Sequence, residues 1–188
     1  MTDEELIDAL LIIAQRDAEL RTLVIARLRG VSTDHRWLLW PSPFRLVTQP
    51  FGANPQLYAR FGLPGHEGLD IRAPNGTPIS AAADGTLTHV GRRSTSDPYG
   101  YHIRIQHKRP DAEYMTLYAH LTNDSSRAKK GDTVNQGQVI ALADATGNVM
   151  PPGSAGAHLH FGLKRIGLQD AYHGYIDPLP FFVNPPGG

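Results

Sequence analysis

From residue 45 onward, apolar and polar residues alternate in short runs that are bounded by Gly, Pro, Asn or Asp. A period of two is typical of β-strands, because successive side chains of a strand point to opposite faces. The connections lack the helical pattern that parallel strands require, so the sequence predicts a mainly β fold, an antiparallel sheet or sandwich. The predicted strands are residues 45–49, 77–81, 85–91, 102–107, 113–120, 138–143 and 158–164.

Residues 1–30 follow a different pattern. Thr2 and Glu5 have the spacing of a helix capping box, and an apolar stripe at helical spacing begins at Leu6. We expect one amphipathic helix or two short ones, so residues 1–36 are predicted to form an N-terminal helical extension and connector. Residues 37–188 then form the main domain. The helix either packs on that domain or serves in docking or self-association.

Charge and hydropathy exclude several classes of protein. The 18 basic and 18 acidic side chains cancel, which leaves no broad basic surface for nucleic acid and no polybasic stretch for an anionic membrane. A signal peptide would begin with basic residues, whereas Asp3, Glu4 and Glu5 come first. The apolar run 9–14 is far shorter than the roughly 20 residues that cross a bilayer. We expect no nucleic-acid partner, signal peptide or membrane span.

The chain contains no cysteine and nine histidines. Any metal must therefore be held by His, Asp or Glu, since thiolate ligands are absent. Three short segments that contain histidines stand out, residues 65–70, 117–121 and 157–161. These segments are the candidates for a catalytic or metal-binding site.

The first segment contains His66, Glu67 and Asp70. A zincin motif would need these residues on a helix, but Pro64 and Gly68 make a helix unfavourable here, so Glu67 is not expected to act as a general base. In an extended chain, residues four apart share a face, which lets His66 and Asp70 bind one ion. The alternative is a surface histidine followed by an aspartate in a turn.

His158 and His160 alternate on a predicted strand and therefore point from the same face. They are either a solvent-exposed pair or part of a site, because buried imidazoles need partners for their nitrogens. With His66 and Asp70, one of the two would complete a His2Asp set. Three protein ligands with an open fourth position are the arrangement of catalytic zinc.

The set His66-x-x-x-Asp70, Tyr118-Ala119-His120-Leu121 and His158-Leu159-His160-Phe161 resembles the M23 family of zinc peptidases, the lysostaphin-like or LytM-like peptidoglycan endopeptidases. The resemblance covers about residues 44–165, the motif core. It implies that His66, Asp70 and His160 bind one zinc ion per chain, and that His120 and His158 are catalytic. Further matching segments are 68–71, 73–78, 83–85, 130–132, 137–138 and 175–178.

The resemblance also implies the fold and the activity. We expect an antiparallel β structure whose loops, residues 51–64, 92–100 and 144–156, form the walls of a substrate groove. The implied activity is hydrolysis of peptide cross-links or bridges of bacterial peptidoglycan by metal-activated water. Some relatives have lost ligands, so the alternative is a non-enzymatic scaffold that binds peptidoglycan or activates another hydrolase.

Without a signal peptide, the protein would be made in the cytoplasm and reach the cell wall as an endolysin on lysis, in a phage particle or by a non-classical route. Residues outside the motifs receive no catalytic role. Arg72 and Tyr118 are expected to be packing or hydrogen-bonding partners. The histidines without an assigned role are His35, His89, His102, His107 and His173.

A truncated chain that begins at Trp37 is predicted to bind zinc as the full chain does, because the expected ligands all lie after the helical extension. Elemental analysis of the purified protein, with circular dichroism to verify folding, tests this prediction. A folded truncated chain without zinc would mean that the helix belongs to the active domain and that the predicted boundary is wrong.

Overall fold

The computed structural model of the chain describes residues 35–92 and 96–185. The predicted helical extension falls almost wholly outside the described residues. The elements below all lie in one compact unit, Trp37–Gly188. Among the described residues, no helix is long and apolar enough to cross a membrane.

Most of the regular structure in the described residues is β. The strands are β1 Val47–Gln49, β2 Leu69–Arg72, β3 Pro78–Ser80, β4 Gly85–Val90, β5 Tyr101–Lys108, β6 Glu113–Leu121, β7 Thr133–Val134, β8 Val139–Leu142, β9 His158–Arg165 and β10 Tyr175–Ile176. A short α-helix, α1, is Pro55–Tyr58, and the 3-10 segments are Ala59–Phe61, Ser154–Gly156 and Leu179–Phe181.

The main sheet has the strand order β1-β2-β9-β6-β5-β4-β7, with β10 also paired to β9, and β3 and β8 form a separate pair. Every pairing between these strands is antiparallel. The predicted mainly β, antiparallel fold is therefore confirmed. The sheet centre joins β9, near the end of the described chain, to β2 and β6 from earlier parts.

Each of the seven predicted runs overlaps an observed strand, but three strands and the helix α1 were not predicted. β7 and β10 are only two residues long, too short for a period of two to show. The segment that forms β2 was predicted to be extended, but it was not among the predicted strands of the sheet. Its Leu69 and Ile71 are buried while Arg72 is exposed, the alternation of a strand with one face in the core.

The two faces of the main sheet carry different residues. Along β6, Tyr118 points into the main core, whereas Leu117 and Ala119 belong to a smaller cluster on the opposite face. The largest fully buried side chains include Tyr118, Phe161, Phe182, Leu38, Leu69, Ile71, Ile79, Leu87, Ile103 and Ile105. On that opposite face, β2 and β9 carry polar side chains beside the smaller cluster of β6.

A chain of polar groups crosses the main core. The Ala82 N–H donates to the Tyr118 hydroxyl at 2.8 Å, and the Thr116 hydroxyl lies 3.2 Å from that oxygen. His107 Nε2 is 2.8 Å from the Thr116 hydroxyl, and its Nδ1–H donates to the Asp84 carbonyl at 2.7 Å. The expected role of Tyr118 as a hydrogen-bonding core residue is confirmed. Each group is paired, so the burial is tolerated.

We predict that the stability supplied by His107 is lost at acidic pH. Burial lowers the pKa of His107 below its ordinary value of 6.5. The unfolded chain therefore takes up the proton first as the pH falls below about 6.5, which favours unfolding by up to about 1.4 kcal/mol per pH unit. Denaturant unfolding of wild type and His107→Gln between pH 8 and 5 measures this, and the difference between their free energies of unfolding should shrink. A constant difference would contradict the prediction.

Candidate active site

The pairing of β2 with β9 brings the predicted site residues together. Asp70 lies opposite His160, and Arg72 lies opposite His158. Alternate residues of a strand share a face, so these four side chains project from the same open face of the sheet. The register of two strands that lie far apart in sequence thus assembles most of the site.

His66, Asp70 and His160 form the group of described residues that could hold a metal ion. Asp70 Oδ1 lies 3.2 Å from His66 Nε2 and 3.1 Å from His160 Nδ1, and the two nitrogens are 2.9 Å apart. Ligand atoms around a tetrahedral zinc ion would be roughly 3.3–3.6 Å apart at bond lengths of roughly 2.0–2.2 Å. The donor set and spacing therefore fit one ion after a small outward movement.

His66 is held by the turn before β2. Its backbone N–H donates to Ala53 at 2.9 Å, its carbonyl accepts from Gly52 at 2.8 Å, and its Nδ1 lies 3.2 Å from the Pro50 carbonyl. The Nδ1 therefore carries the hydrogen, and Nε2 is left to face Asp70. Residues 64–68 form turns and bends rather than a helix, so the rejection of the zincin motif is confirmed.

The electrostatics of the group favour an ionised carboxylate. Burial alone would raise the pKa of Asp70, but hydrogen bonds from His160 and His66 hold it well below its usual range. Burial opposes protonation of His66, yet the hydrogen bond and charge of Asp70 raise its pKa overall. An ionised carboxylate between two imidazoles is the charge arrangement that favours a bound cation.

A β-bulge in β6 brings the His120 side chain to the face of the sheet that carries Asp70 and His160. One extra residue of β6 lies opposite β5 between the pairs Ile103–Tyr118 and Tyr101–Leu121, and His120 has a φ of 59°. A regular strand would put His120 on the same side as Tyr118, in the main core. The bulge reverses the alternation and directs the imidazole toward the site.

His120 and His158 face each other beside the ligand set, with ring centroids 4.7 Å apart. His120 Nδ1 lies 2.7 Å from the Thr146 carbonyl, and His158 Nδ1 lies 2.7 Å from the Gly156 carbonyl. A carbonyl only accepts, so each ring carries its hydrogen on Nδ1 and leaves Nε2 as a base. Burial, with the nearby His158 and His160, lowers the pKa of His120 to about 3.

A groove passes over the site and has two parts, which share Gln49, Asp70, Met150 and His158. The part that we call the Phe61 side has a volume of about 270 Å³ and is lined by Leu57, Tyr58, Phe61, Leu63, Tyr99 and Val149. The part that we call the Arg72 side has a volume of about 480 Å³ and is lined by Leu46, Thr48, Arg72, Pro74, Ser154 and Ala157.

All three predicted wall segments contribute to this groove, since residues 57–63, 98–99 and 148–156 line it. The prediction missed β1 and the end of β2, which form the other wall of the Arg72 side. Arg72 was expected to be a packing or hydrogen-bonding partner, and its guanidinium packs over the Phe44 ring, but its exposed side chain also lines the groove, which was not predicted. The sequence offered one signal for this position: Arg72 follows Asp70 by two residues, so on a strand the two side chains share a face.

Several supporting residues were predicted only as parts of the groove walls and not by their individual contacts. Tyr58 and Tyr99 line the Phe61 side, and burial raises both pKa values, that of Tyr58 to about 12. Tyr99 donates to the buried Glu67 at 2.9 Å. Thr146 supports His120 and also donates its hydroxyl to the Leu121 carbonyl at 2.7 Å. Tyr58, Tyr99 and Thr146 lie outside the three motifs but within the predicted wall segments 51–64, 92–100 and 144–156, so the sequence placed them near the groove without revealing their contacts.

Comparison with known proteins identifies the family. The model of peptidase family M23 matches residues 64–177, which include all five predicted site residues. The chain belongs to peptidase family M23. Like other similar M23 proteins, the DD-carboxypeptidase/endopeptidase Mpg of Neisseria meningitidis is longer: it is 36% identical over 129 residues, which are 68% of this chain and 26% of that protein.

Solved structures show the same M23 fold. A zinc-containing peptidase from Vibrio cholerae has a TM-score of 0.57 and 30% identity, over 80% of this chain and 41% of that one. A mutant catalytic domain of the prophage-encoded M23 protein EnpA from Enterococcus faecalis has a TM-score of 0.55 and 30% identity, over 76% and 95% of the two chains. This chain spans less than half the length of the first curated relatives that it matches.

Gly68→Ala is predicted to weaken metal binding. An added Cβ would lie 2.7 Å from the Phe161 carbonyl oxygen and 2.9 Å from His160 Nε2, so the His160 ring must move. We expect a loss of about 10–100-fold in metal affinity, the scale for disturbing a supporting contact. Chelator competition measures it.

Gly85→Ala is the matched control, since its Cβ would meet the Gln106 carbonyl oxygen at 2.5 Å in β5, outside the site. This variant should lose stability and keep its metal affinity. Equal loss of affinity in both variants would mean that general unfolding, not the His160 ring, causes the effect.

Proposed function

We propose that the protein is a zinc-dependent endopeptidase that hydrolyses peptide cross-links or bridges of bacterial peptidoglycan. The observation that carries this proposal is the convergence of His66, Asp70 and His160 beside two imidazoles, His120 and His158, whose Nε2 atoms are free to act as bases. Family M23 and the names of relatives as endopeptidases support it.

One Zn²⁺ per chain would be held by His66 Nε2, Asp70 Oδ1 and His160 Nδ1. Their mixed nitrogen and carboxylate chemistry suits zinc, and three ligands leave a fourth position for the reaction. When bound, zinc supplies a Lewis acid that lowers the pKa of water and polarises a peptide carbonyl. Mononuclear binding follows from the single ligand group found among the described residues.

The two remaining histidines would move protons and stabilise charge. His120 is neutral at physiological pH because burial keeps its pKa near 3, so its Nε2 can accept a hydrogen bond or a proton from water. His158 Nε2 lies 3.6 Å from Asp70 Oδ1, next to the ligand set. Once protonated, either ring can donate to the oxyanion or the leaving amine.

A non-enzymatic scaffold of the same fold is the competing hypothesis. Such a protein would need the groove but not four oriented imidazoles that converge on one carboxylate. This convergence supports the hypothesis of an enzyme. We propose that the protein acts at the bacterial cell wall, as a peptidoglycan substrate requires. Release on lysis, assembly into a phage particle and non-classical export are the proposed routes to the wall. We also propose docking or self-association through residues 1–30, which lie outside the described residues.

Three substitutions are predicted to separate the metal ligands from the catalytic histidines. His160→Ala should abolish zinc retention and activity together. His120→Ala and His158→Ala should keep zinc and lose about 100- to 10,000-fold in rate, the usual scale for a positioned acid–base or oxyanion group. Zinc content and turnover of purified peptidoglycan, measured on the same preparations, provide the test.

Loss of zinc from His158→Ala with retention in His160→Ala would reverse the two roles. Zinc binding by wild type without any turnover of peptidoglycans with different bridges would favour the scaffold. Mass analysis of the released fragments would identify the cleaved bond.

A further inference from the structure

Arg72 lies beside the proposed catalytic histidines on the groove wall. It follows Asp70 by two residues on β2 and pairs with His158 on β9. Equivalent side chains two residues apart on a strand are roughly 6.6–7 Å apart. A group bound by Arg72 would therefore be about one to two peptide residues away from a carbonyl that reacts at the ligand set.

The charge of Arg72 is not neutralised within the described part of the chain. Its guanidinium carbon lies 5.7 Å from the centroid of the Phe44 ring, and no described carboxylate forms an ion pair with it. The nearest acidic residue on its strand, Asp70, is occupied by His66 and His160. Stacking on an aromatic face orients a guanidinium and leaves its N–H edge available.

The two sides of the groove differ in chemistry. On the Phe61 side, Leu57 and Phe61 are 47% and 50% exposed, and they present apolar surface to a ligand. On the Arg72 side, Arg72 is the cationic residue of the described wall, next to the hydroxyl groups of Thr48 and Ser154. Arg60 also lines the Phe61 side, where its guanidinium carbon lies 4.7 Å from the centroid of the Phe61 ring. The Arg72 side differs because its cation lies among hydroxyl groups, next to Asp70 and His158, so an anionic group of a bound peptide is expected there.

We propose that Arg72 binds a substrate carboxylate carried by the carbon atom next to the scissile amide nitrogen. The inference rests on the proposed function, and it makes Arg72 a specificity-determining residue for the leaving group. Hydrolysis breaks the bond between carbonyl carbon and nitrogen, adds the water oxygen to the carbonyl carbon and transfers a proton to the nitrogen. The guanidinium takes no part in these transfers and acts by positioning the leaving amine.

Peptidoglycan offers this carboxylate in two places. In a cross-link through a diamino acid, the carbon that carries the amide nitrogen can also carry a free carboxylate. In a stem that is not cross-linked, the terminal alanine has the same arrangement. Arginine suits either source, because its planar N–H groups match the two oxygens of a carboxylate.

The experiment uses two pairs of peptides that differ only in the carboxylate. One pair is a diamino-acid cross-linked dimer with the free carboxylate or its carboxamide, and the other is a stem peptide that ends in alanine or alanine amide. Wild type, with zinc, should cleave the carboxylate form of at least one pair with a kcat/KM about 10–100-fold higher than the carboxamide form. The preferred pair identifies the source of the carboxylate.

Arg72→Gln should reduce this ratio to near one by slowing only the carboxylate substrate, because the carboxamide never formed the ion pair. Arg72→Lys should retain part of the preference, since it keeps the charge and loses the two-pronged geometry. Arg165→Gln is the matched control, as Arg165 is also exposed, at the far end of β9, and lines neither side of the groove. It should keep the wild-type ratio.

A wild-type ratio near one, or an unchanged ratio in Arg72→Gln, would overturn the role of Arg72. If the wild type cleaves neither the peptides nor any peptidoglycan, the proposed function is overturned instead. The carboxylate preference is then measured as a ratio of Kd values for the same peptides on His158→Ala, with and without Arg72→Gln. No preference in binding would overturn the inference independently of catalysis.

Discussion

The antiparallel pairing of β2 with β9 is the constraint on which the site depends. Because Asp70 lies opposite His160 and Arg72 opposite His158, one stretch of ladder sets the carboxylate, the two imidazoles and the guanidinium on a single face. A slip of one residue would turn alternate side chains of one strand into the core. The buried residues on the other face, such as Ile71 and Leu159, prevent that slip, so hydrophobic packing holds the polar site in register.

Backbone carbonyl groups orient the imidazole rings of three site histidines. The carbonyls of Pro50, Thr146 and Gly156 each accept a hydrogen bond from the Nδ1 of a site histidine, and thereby leave its Nε2 to face the other residues of the site. His160 has the opposite orientation, with Nδ1 toward Asp70 and Nε2 buried against Gly68. The loops that bear these carbonyls therefore determine the proton positions of the site as well as the shape of the groove.

Much of this arrangement could be predicted from the sequence, and the exceptions have physical causes. Local alternation predicted the main strands and the antiparallel sheet, and the histidine motifs predicted which five residues lie together. Arg72 was expected only as a packing or hydrogen-bonding partner, and its additional position on the groove could not be predicted, since only the pairing of β2 with β9 reveals it. The motif resemblance placed His120 in the site, whereas a period of two alone would have placed it beside Tyr118 in the core, because the bulge cannot be read from the alternation.

The bulge at His120 also has an evolutionary consequence. The ladder between β5 and β6 is regular from the pair Ile103–Tyr118 to the pair Lys108–Glu113, and the pair Tyr101–Leu121 beyond the extra residue ends it, so a deletion of one residue there would leave most of the ladder intact. Such a deletion would displace one imidazole and spare the ligand set, which is built on other elements. Under the proposed function, a metal-binding protein without turnover would thus be a single mutational step from an active one, which gives a structural route from an enzyme of this fold to a binding protein.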